Sequence, residues 1–332
     1  MDVGMIVEWV IKAAILLLFG VTGFAYLTLY ERRALARIQV RIGPNRAGPQ
    51  GLLQPVADGL KLIFKEEFIP AAADKPLFIL APVITVLPAL VIWAVIPWGS
   101  SITLFGRTIT LYLADINVAV LYLTAVTSIA VYGIVLAGWS SNNKYALLGG
   151  LRSSAQMISY ELALGLSLIG PILIAGSMSL VNIVDAQKHV WFVFYQPLGM
   201  LIYMIAALAE INRAPFDMPE AEQELTAGYH TEYSGMKFAL FFMAEYIKMI
   251  AISAIAATLF FGGYRGPFVD TYPLLGPVYL LIKIIILLFG IIWVRATLPR
   301  FRYDRLMAFG WKILLPLALF NVVLTAVLLL FI

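Results

Sequence analysis

The chain contains no cysteine and only two histidines, His189 and His230. Iron–sulfur clusters are held by cysteine thiolates and zinc by cysteine, histidine and carboxylate sets, so the chain ligates neither centre by itself and any redox chemistry must sit in partners. There is no Gly-Lys-Ser/Thr phosphate loop and no Gly-x-Gly-x-x-Gly turn between a strand and a helix, so nothing here grips a nucleotide. Charge is scarce as well: 13% of residues are charged against 62% hydrophobic, with a mean hydropathy of +0.92. The net charge of +4 comes mostly from segments flanking apolar runs, the distribution expected for membrane orientation rather than for nucleic acid.

What is present is a series of continuous apolar runs of about 20 residues, the length of a membrane-spanning helix and not the short alternation of a β-barrel. They fall near residues 5–29, 77–97, 115–139, 155–176, 192–210, 235–262, 274–296 and 308–331. The expectation is an all-α polytopic membrane protein with about eight spans, forming one membrane domain over residues 1–332. No basic region and small-residue cleavage site surround the first run, so it is expected to be retained. Pro82, Pro88, Pro171, Pro197 and Pro316 predict kinks. Ser153 and Gln156 have the spacing of a capping box and predict the start of the fourth span.

Lysine and arginine are distributed unevenly among the loops. The first loop holds Arg32, Arg33, Arg37, Arg41, Arg46, Lys61, Lys65 and Lys75, and the other odd loops add Lys144, Arg152, Arg213, Lys237, Arg295, Arg300, Arg302, Arg305 and Lys312. The second, fourth and sixth hold Arg107, Lys188 and Arg265. By the positive-inside rule the odd loops are cytoplasmic and both termini lie on the other side.

Two cytoplasmic loops, 30–75 and 211–234, carry more than a connection needs. In the first, Leu52, Leu53, Val56, Leu60, Ile63 and Phe64 recur at helical spacing opposite Gln54, Asp58, Lys61 and Lys65, predicting an interfacial amphipathic helix. It suits a surface anchor or the wall of a cavity opening sideways to lipid. The second belongs to the stretch AEINRAPFDMPEAEQELTAGYHTEY (209–233), which sets Glu210, Asp217, Glu220, Glu222, Glu224 and Glu232 against Arg213 alone. Its alternating acids do not have calcium-loop spacing. They form either a solvated charge run or, given Ala214, Pro215, Phe216, Met218, Pro219 and Leu225 among them, a folded loop whose carboxylates share protons. His230 is expected to be a structural hydrogen bonder.

Glu161, Glu210 and Glu245 lie in or at the edge of spans, where a charge costs about 2.5–3.5 kcal/mol at a helix centre. Glu161 and Glu245 are expected roughly 10–15 Å below the cytoplasmic helix ends, with the loop acids above them. Lys248, on the same helix face as Glu245, is placed to pair with it. Burial and a nearby ammonium act on a carboxylate in opposite senses and can tune it for proton exchange near neutral pH. The plain alternative is that Glu161, Glu245, Lys248 and Lys283 are polar glue between helices.

The stretches ERRALARIQVRIGPNRAGPQGLLQPVADGLKLIFKE from Glu31, AEINRAPFDMPEAEQELTAGYHTEYSGMKFALFFMAEY from Ala209 and RATLPRFRYDRLM from Arg295 resemble the H-subunit family of respiratory complex I, the proton-pumping NADH:quinone oxidoreductase. The resemblance implies a multi-pass subunit of the cell (inner/plasma) membrane that forms much of a quinone tunnel. The matching tunnel and docking positions are Glu31, Arg32, Arg41, Asp58, Lys65 and Phe242. It also implies a charge relay toward antiporter-like subunits through Glu161, Glu210, Asp217, Glu220, Glu222, Glu224 and Glu245, beside which Lys248 is read as a member. Quinone would be the substrate, with lipid around the chain. FMN, NADH and iron–sulfur clusters would belong to soluble partner subunits, and small membrane subunits would pack alongside. Two other readings stand beside it: a related component of a membrane-bound hydrogenase-type complex, and a free-standing ion or solute transporter, which would also bury carboxylates between kinked helices.

Overall fold

A computed structural model describes residues 3–104, 107–218 and 226–331. Glu220, Glu222 and Glu224 of the acidic loop lie outside the described residues. Among the described residues seven helical stretches are long and apolar enough to cross a bilayer. They are α1 (Val3–Ile38), α3 (Lys75–Val91, continued by one 3-10 turn), α4 (Ala119–Ser140), α5 (Lys144–Ala175), α9 (Gly235–Phe260), α10 (Leu275–Thr297) and the pair α11 (Tyr303–Phe309) and α12 (Leu315–Leu329). A π-helical turn, Gly310–Leu314, joins α11 to α12. The shorter helices are α2 (Gln54–Phe64), α6 (Leu180–Ala186), α7 (Phe192–Tyr195) and α8 (Pro197–Glu210).

The fifth expected span is therefore broken. Pro197 has no N–H, and Gln196 before it takes φ −128° and ψ 51°, outside the helical region that a residue preceding proline avoids. The 14 residues of α8 reach about 21 Å, short of a hydrocarbon core of about 30 Å. Gln196 stabilises the break from within: its amide oxygen accepts from Asn321 Nδ2 at 3.0 Å and its nitrogen donates to Thr325 Oγ1, both on α12.

Other boundaries differ too. Helix α5 starts at Lys144, where the Asn143 side chain accepts from the Tyr145 N–H, so Ser153 and Gln156 are buried mid-helix and do not cap it. Helix α1 continues past the first apolar run and absorbs Glu31 to Ile38. A small antiparallel hairpin, β1 (Ser101–Leu104) and β2 (Arg107–Thr110), pairs Ser101 with Thr110 in the second loop, which apolar periodicity alone does not signal.

Helix α9 is the axle of the bundle. It is buried without interruption from Tyr246 to Phe260, the pattern of a helix apolar on every side, and packs against α1, α3 and α10. Lys283 of α10 closes its end by donating to the carbonyls of Phe261, Gly263 and Arg265 at 2.7, 2.8 and 2.7 Å, a cap that accounts for this intramembrane lysine. Helices α3 and α4 approach closely at Gly133 of α4, where a Cβ would lie 2.1 Å from Thr85 Oγ1 and 2.9 Å from the Ala81 carbonyl oxygen of α3. Gly133→Ala is expected to lower stability by about 1–3 kcal/mol through overpacking, read as a lower melting temperature of the detergent-extracted protein. An unchanged melting temperature would show that α3 and α4 separate freely.

Candidate functional site

Helix α8 ends at Glu210, and the left-handed Asn212 (φ 56°) turns the chain so that Arg213 points back to α9. The turn is held by α5. Gln156 Nε2 donates to the carbonyls of Ala209 and Phe216 at 2.7 Å each and to Asn212 Oδ1 at 3.2 Å, while Asn212 Nδ2 donates to Ser153 Oγ at 3.1 Å. The two residues expected to cap a helix instead hook the acidic segment onto the bundle.

This geometry forms two buried ion pairs. Lys248 lies 2.8 Å from Glu210, and Arg213 lies 3.2 Å from Glu245, with no more than 11% of any of the four side chains exposed. The expected Glu245–Lys248 pair is thus corrected: the guanidinium of Arg213 takes Glu245, and Lys248 turns to α8. Tyr229 Oη donates to Glu245 Oε1 at 3.1 Å, and the Arg213 guanidinium stacks 4.5 Å over the Tyr246 ring. Buried pairs need further bonds to offset desolvation, and here Tyr229 supplies one to Glu245 and the Glu210 carbonyl lies 3.4 Å from Lys248 Nζ.

Glu161 accepts a short hydrogen bond from Ser128 of α4 and lies within electrostatic reach of Glu210 and Lys248. Because α5 begins at Lys144, Glu161 is about 25 Å along its helix, deeper than expected, whereas Glu245 keeps the expected distance of about 15 Å. The half-buried Asp217 interacts in turn with Glu245, as does Lys248. Asp217, Glu245 with Arg213, Lys248 with Glu210, and Glu161 with Ser128 therefore form one row. Beside the two ion pairs lies a small cavity of about 20 Å³ bordered by Glu210, Lys248, Glu245 and Tyr229. It has room for about one water molecule. Where buried carboxylates are paired with fixed cations, a proton gained at one acid changes the pairing beside it, so such a row can pass a change of charge along.

The first-loop residues are dispersed. Glu31 is buried and paired with Arg295 of α10. Arg32 bonds Asp58 at 2.6 Å, and Gln54 donates to the same carboxylate at 3.0 Å, tying α2 to α1. Arg41 is exposed and reaches Gln39 at 2.7 Å, and Lys65 is exposed with no salt bridge among the described residues. Phe242 joins the row instead of the first loop, its ring tilted 4.6 Å from that of Phe238 and facing Arg213 at 5.8 Å. Just past α2, Glu67 accepts from the Met236 N–H at 2.8 Å and Lys237 Nζ at 2.7 Å, clamping the first loop to the start of α9. The Lys237 bond holds the Glu67 carboxyl below its usual range.

Sequence reasoning missed Arg213, Tyr229, Ser128, Gln156 and Glu67. Arg213 had a signal, as the lone cation in an acidic stretch, and Gln156 stood out only as part of an expected helix cap; Tyr229, Ser128 and Glu67 are ordinary polar residues until the fold places them.

His230 is packed among Tyr229, Phe238, Phe241 and Phe242, and its Nε2 has no hydrogen-bond partner among the described residues, so it is an aromatic packing element. Burial, with Arg213 nearby, pushes its pKa down to about 3. The unfolded chain then takes up this proton first, so acidification from about pH 6.5 down to the folded value destabilises the fold. His230→Phe is expected to flatten the fall of melting temperature over that window; an unchanged slope would mean that His230 protonates without cost.

The chain matches the NADH dehydrogenase family over residues 11–326. It is 55% identical over 305 residues to the H subunit of the NADH-quinone oxidoreductase of Protochlamydia amoebophila, covering 92% of each chain. The second H subunit of the NADH-quinone oxidoreductase of Geobacter sulfurreducens is 53% identical over 321 residues, 97% of this chain and 96% of that one. The corresponding H subunit of Thermomicrobium roseum is 55% identical over 311 residues, with 91% and 90% covered.

Proposed function

The chain belongs to the NADH dehydrogenase family and is a membrane subunit of an NADH:quinone oxidoreductase, and from that premise we propose that it forms the quinone tunnel and carries a carboxylate relay from it into the membrane arm. The observation that carries the reading is the row from the half-buried Asp217 through the buried pairs Glu245–Arg213 and Lys248–Glu210 to the partly buried Glu161. Isolated intramembrane charges are expensive, so pairing offsets part of their cost and a linked set of them points to a pathway for charge.

In this reading Glu31, Arg32 and Asp58 brace α1, α2 and α10 around the tunnel mouth, with Arg41 and Lys65 free to meet a soluble partner. Helix α2 lies in the membrane interface, its exposed Val56, Leu60 and Ile63 facing lipid. The short pair α7 and α8 is the eighth crossing, which puts both termini on the non-cytoplasmic side. The family resemblance assigns Glu220, Glu222 and Glu224 to the same relay. Quinone is the substrate; FMN, NADH and the iron–sulfur clusters sit in soluble subunits on the cytoplasmic side, and antiporter-like subunits of the cell membrane arm receive the charge. Reduction of quinone perturbs the charge at Asp217 and Glu245, Arg213 and Lys248 redistribute between their acids, and the change reaches Glu161.

Gentle extraction of the tagged chain tests this. The expected product is a large iron–sulfur-containing assembly that reduces quinone with NADH and acidifies one side of a vesicle. A small cofactor-free oligomer, or an assembly that evolves hydrogen and ignores quinone, would overturn it.

A further inference from the structure

A second cavity lies between the cytoplasmic end of α1 and helix α10. It is an open groove of about 560 Å³ lined by Tyr30, Arg33, Ala34, Arg37, Ile38 and Phe289. That volume is in the range of sites for small organic ligands, and no lining residue belongs to the carboxylate row.

Its electrostatics are one-sided. Arg33 and Arg37, four residues apart on one helix face, form no salt bridge among the described residues. The neighbouring carboxylates are already engaged, Glu31 by Arg295 and Asp58 by Arg32. The carbonyls that end α1 are satisfied: Leu35, Ala36 and Arg37 accept from the N–H groups of Gln39, Arg41 and Val40 at 2.9, 2.8 and 3.1 Å. Among the described residues two arginines thus border the groove without a counter-ion, while Tyr30, Ala34, Ile38 and Phe289 supply apolar walls.

Height decides the ligand. The uncharged stretch of α1 is bounded by Lys12 and Glu31, about 28 Å apart along the helix, so Tyr30 stands at the edge of the hydrocarbon core and Arg33 and Arg37 follow it into headgroup level. We propose that this groove is a binding site for an anionic diacyl phospholipid, its phosphate bridging Arg33 and Arg37 and its first acyl carbons lying on Tyr30, Ile38 and Phe289. A neutral quinone tail would leave both guanidiniums unpaired, and a zwitterionic lipid would bring its own cation to the same spot. The site rests on the membrane orientation of α1 and not on the relay.

The test uses the whole purified assembly in bilayer nanodiscs doped with phosphatidylglycerol carrying a diazirine near the headgroup, with the labelled peptides mapped by mass spectrometry. Labelling of the Tyr30–Ile38 stretch is expected to exceed that from the matching phosphatidylcholine probe and to fall about five-fold for each of Arg33→Gln and Arg37→Gln. Lys188→Gln, in the loop at the other end of the bundle, is expected to leave it unchanged. Equal labelling by both lipids would make this an ordinary annular position, loss of label on adding inorganic phosphate would make it a soluble-anion site, and displacement by short-chain quinone would make it part of the quinone path. Each overturns the proposal. NADH:quinone reductase activity, measured in the same samples, reports separately on the relay reading, and the lipid comparison on the unaltered protein stands even where a variant fails to assemble.

Discussion

Lys248→Met is expected to reduce proton pumping coupled to quinone reduction by more than about ten-fold, equivalent to about 1.4 kcal/mol on the limiting barrier. The substitution keeps the length and apolar stem of the side chain and deletes the charge 2.8 Å from Glu210. Glu210 is then a buried carboxylate without its cation, and breaking one side of such a pair costs about 3–5 kcal/mol unless the acid takes a proton. Either response removes a charge from the row, so both assembly and pumping fall. Adding Glu210→Gln separates the two roles. The double variant has no buried charge left to desolvate at this point, and its melting temperature is expected to recover most of the loss. Its pumping is expected to stay low, because no group remains between Glu245 and Glu161 that gains or loses a proton. If the double variant pumps at the unaltered rate, the pair is helix glue and the relay reading fails at its centre.

That distinction was not legible in the sequence. Helical spacing puts Lys248 beside Glu245, and a local rule can go no further, since the competing partner, Glu210, is 38 residues away on α8. The same limit explains Ser153 and Gln156. Their spacing suits a helix start, but whether a serine and a glutamine cap a turn or hook a distant segment depends on whether the helix has already begun, and Asn143 starts it ten residues earlier.

Long apolar runs carried most of the fold. Spans expected at 235–262 and 274–296 are observed at Gly235–Phe260 and Leu275–Thr297, because a run that must cross hydrocarbon is bounded by its first polar neighbours. The run at 192–210 has the same composition and is broken by Pro197, since hydropathy measures what lipid tolerates and not whether the backbone stays helical. The three carboxylates of the row that lie in or at the edge of helices stood out from sequence through their cost. Their cations and hydrogen-bond donors did not, because an arginine in a loop and a tyrosine near it are unremarkable until Asn212 and Gln156 fold that loop inward.

Arg213 is where these strands meet, and its substitution is expected to have the second large effect. Arg213→Gln leaves Glu245 with the Tyr229 hydroxyl as its main remaining partner and removes the stacking charge over Tyr246. Quinone-coupled pumping is expected to fall below about a hundredth, the equivalent of roughly 2.7 kcal/mol, within the cost of stranding a buried acid. Arg213→Lys gives a finer result. An ammonium restores the charge near Glu245 but has neither the planar fork nor the flat face that lies on the Tyr246 ring, so activity is expected to return only in part, to within about ten-fold of the original. Should lysine restore full pumping, the site needs only a positive charge and the stacked geometry is incidental. Should lysine do no better than glutamine while the assembly stays intact, the row depends on where the guanidinium is held, and the Asn212 turn and its Gln156 hook become positioning residues, testable by Gln156→Leu with the same pumping readout.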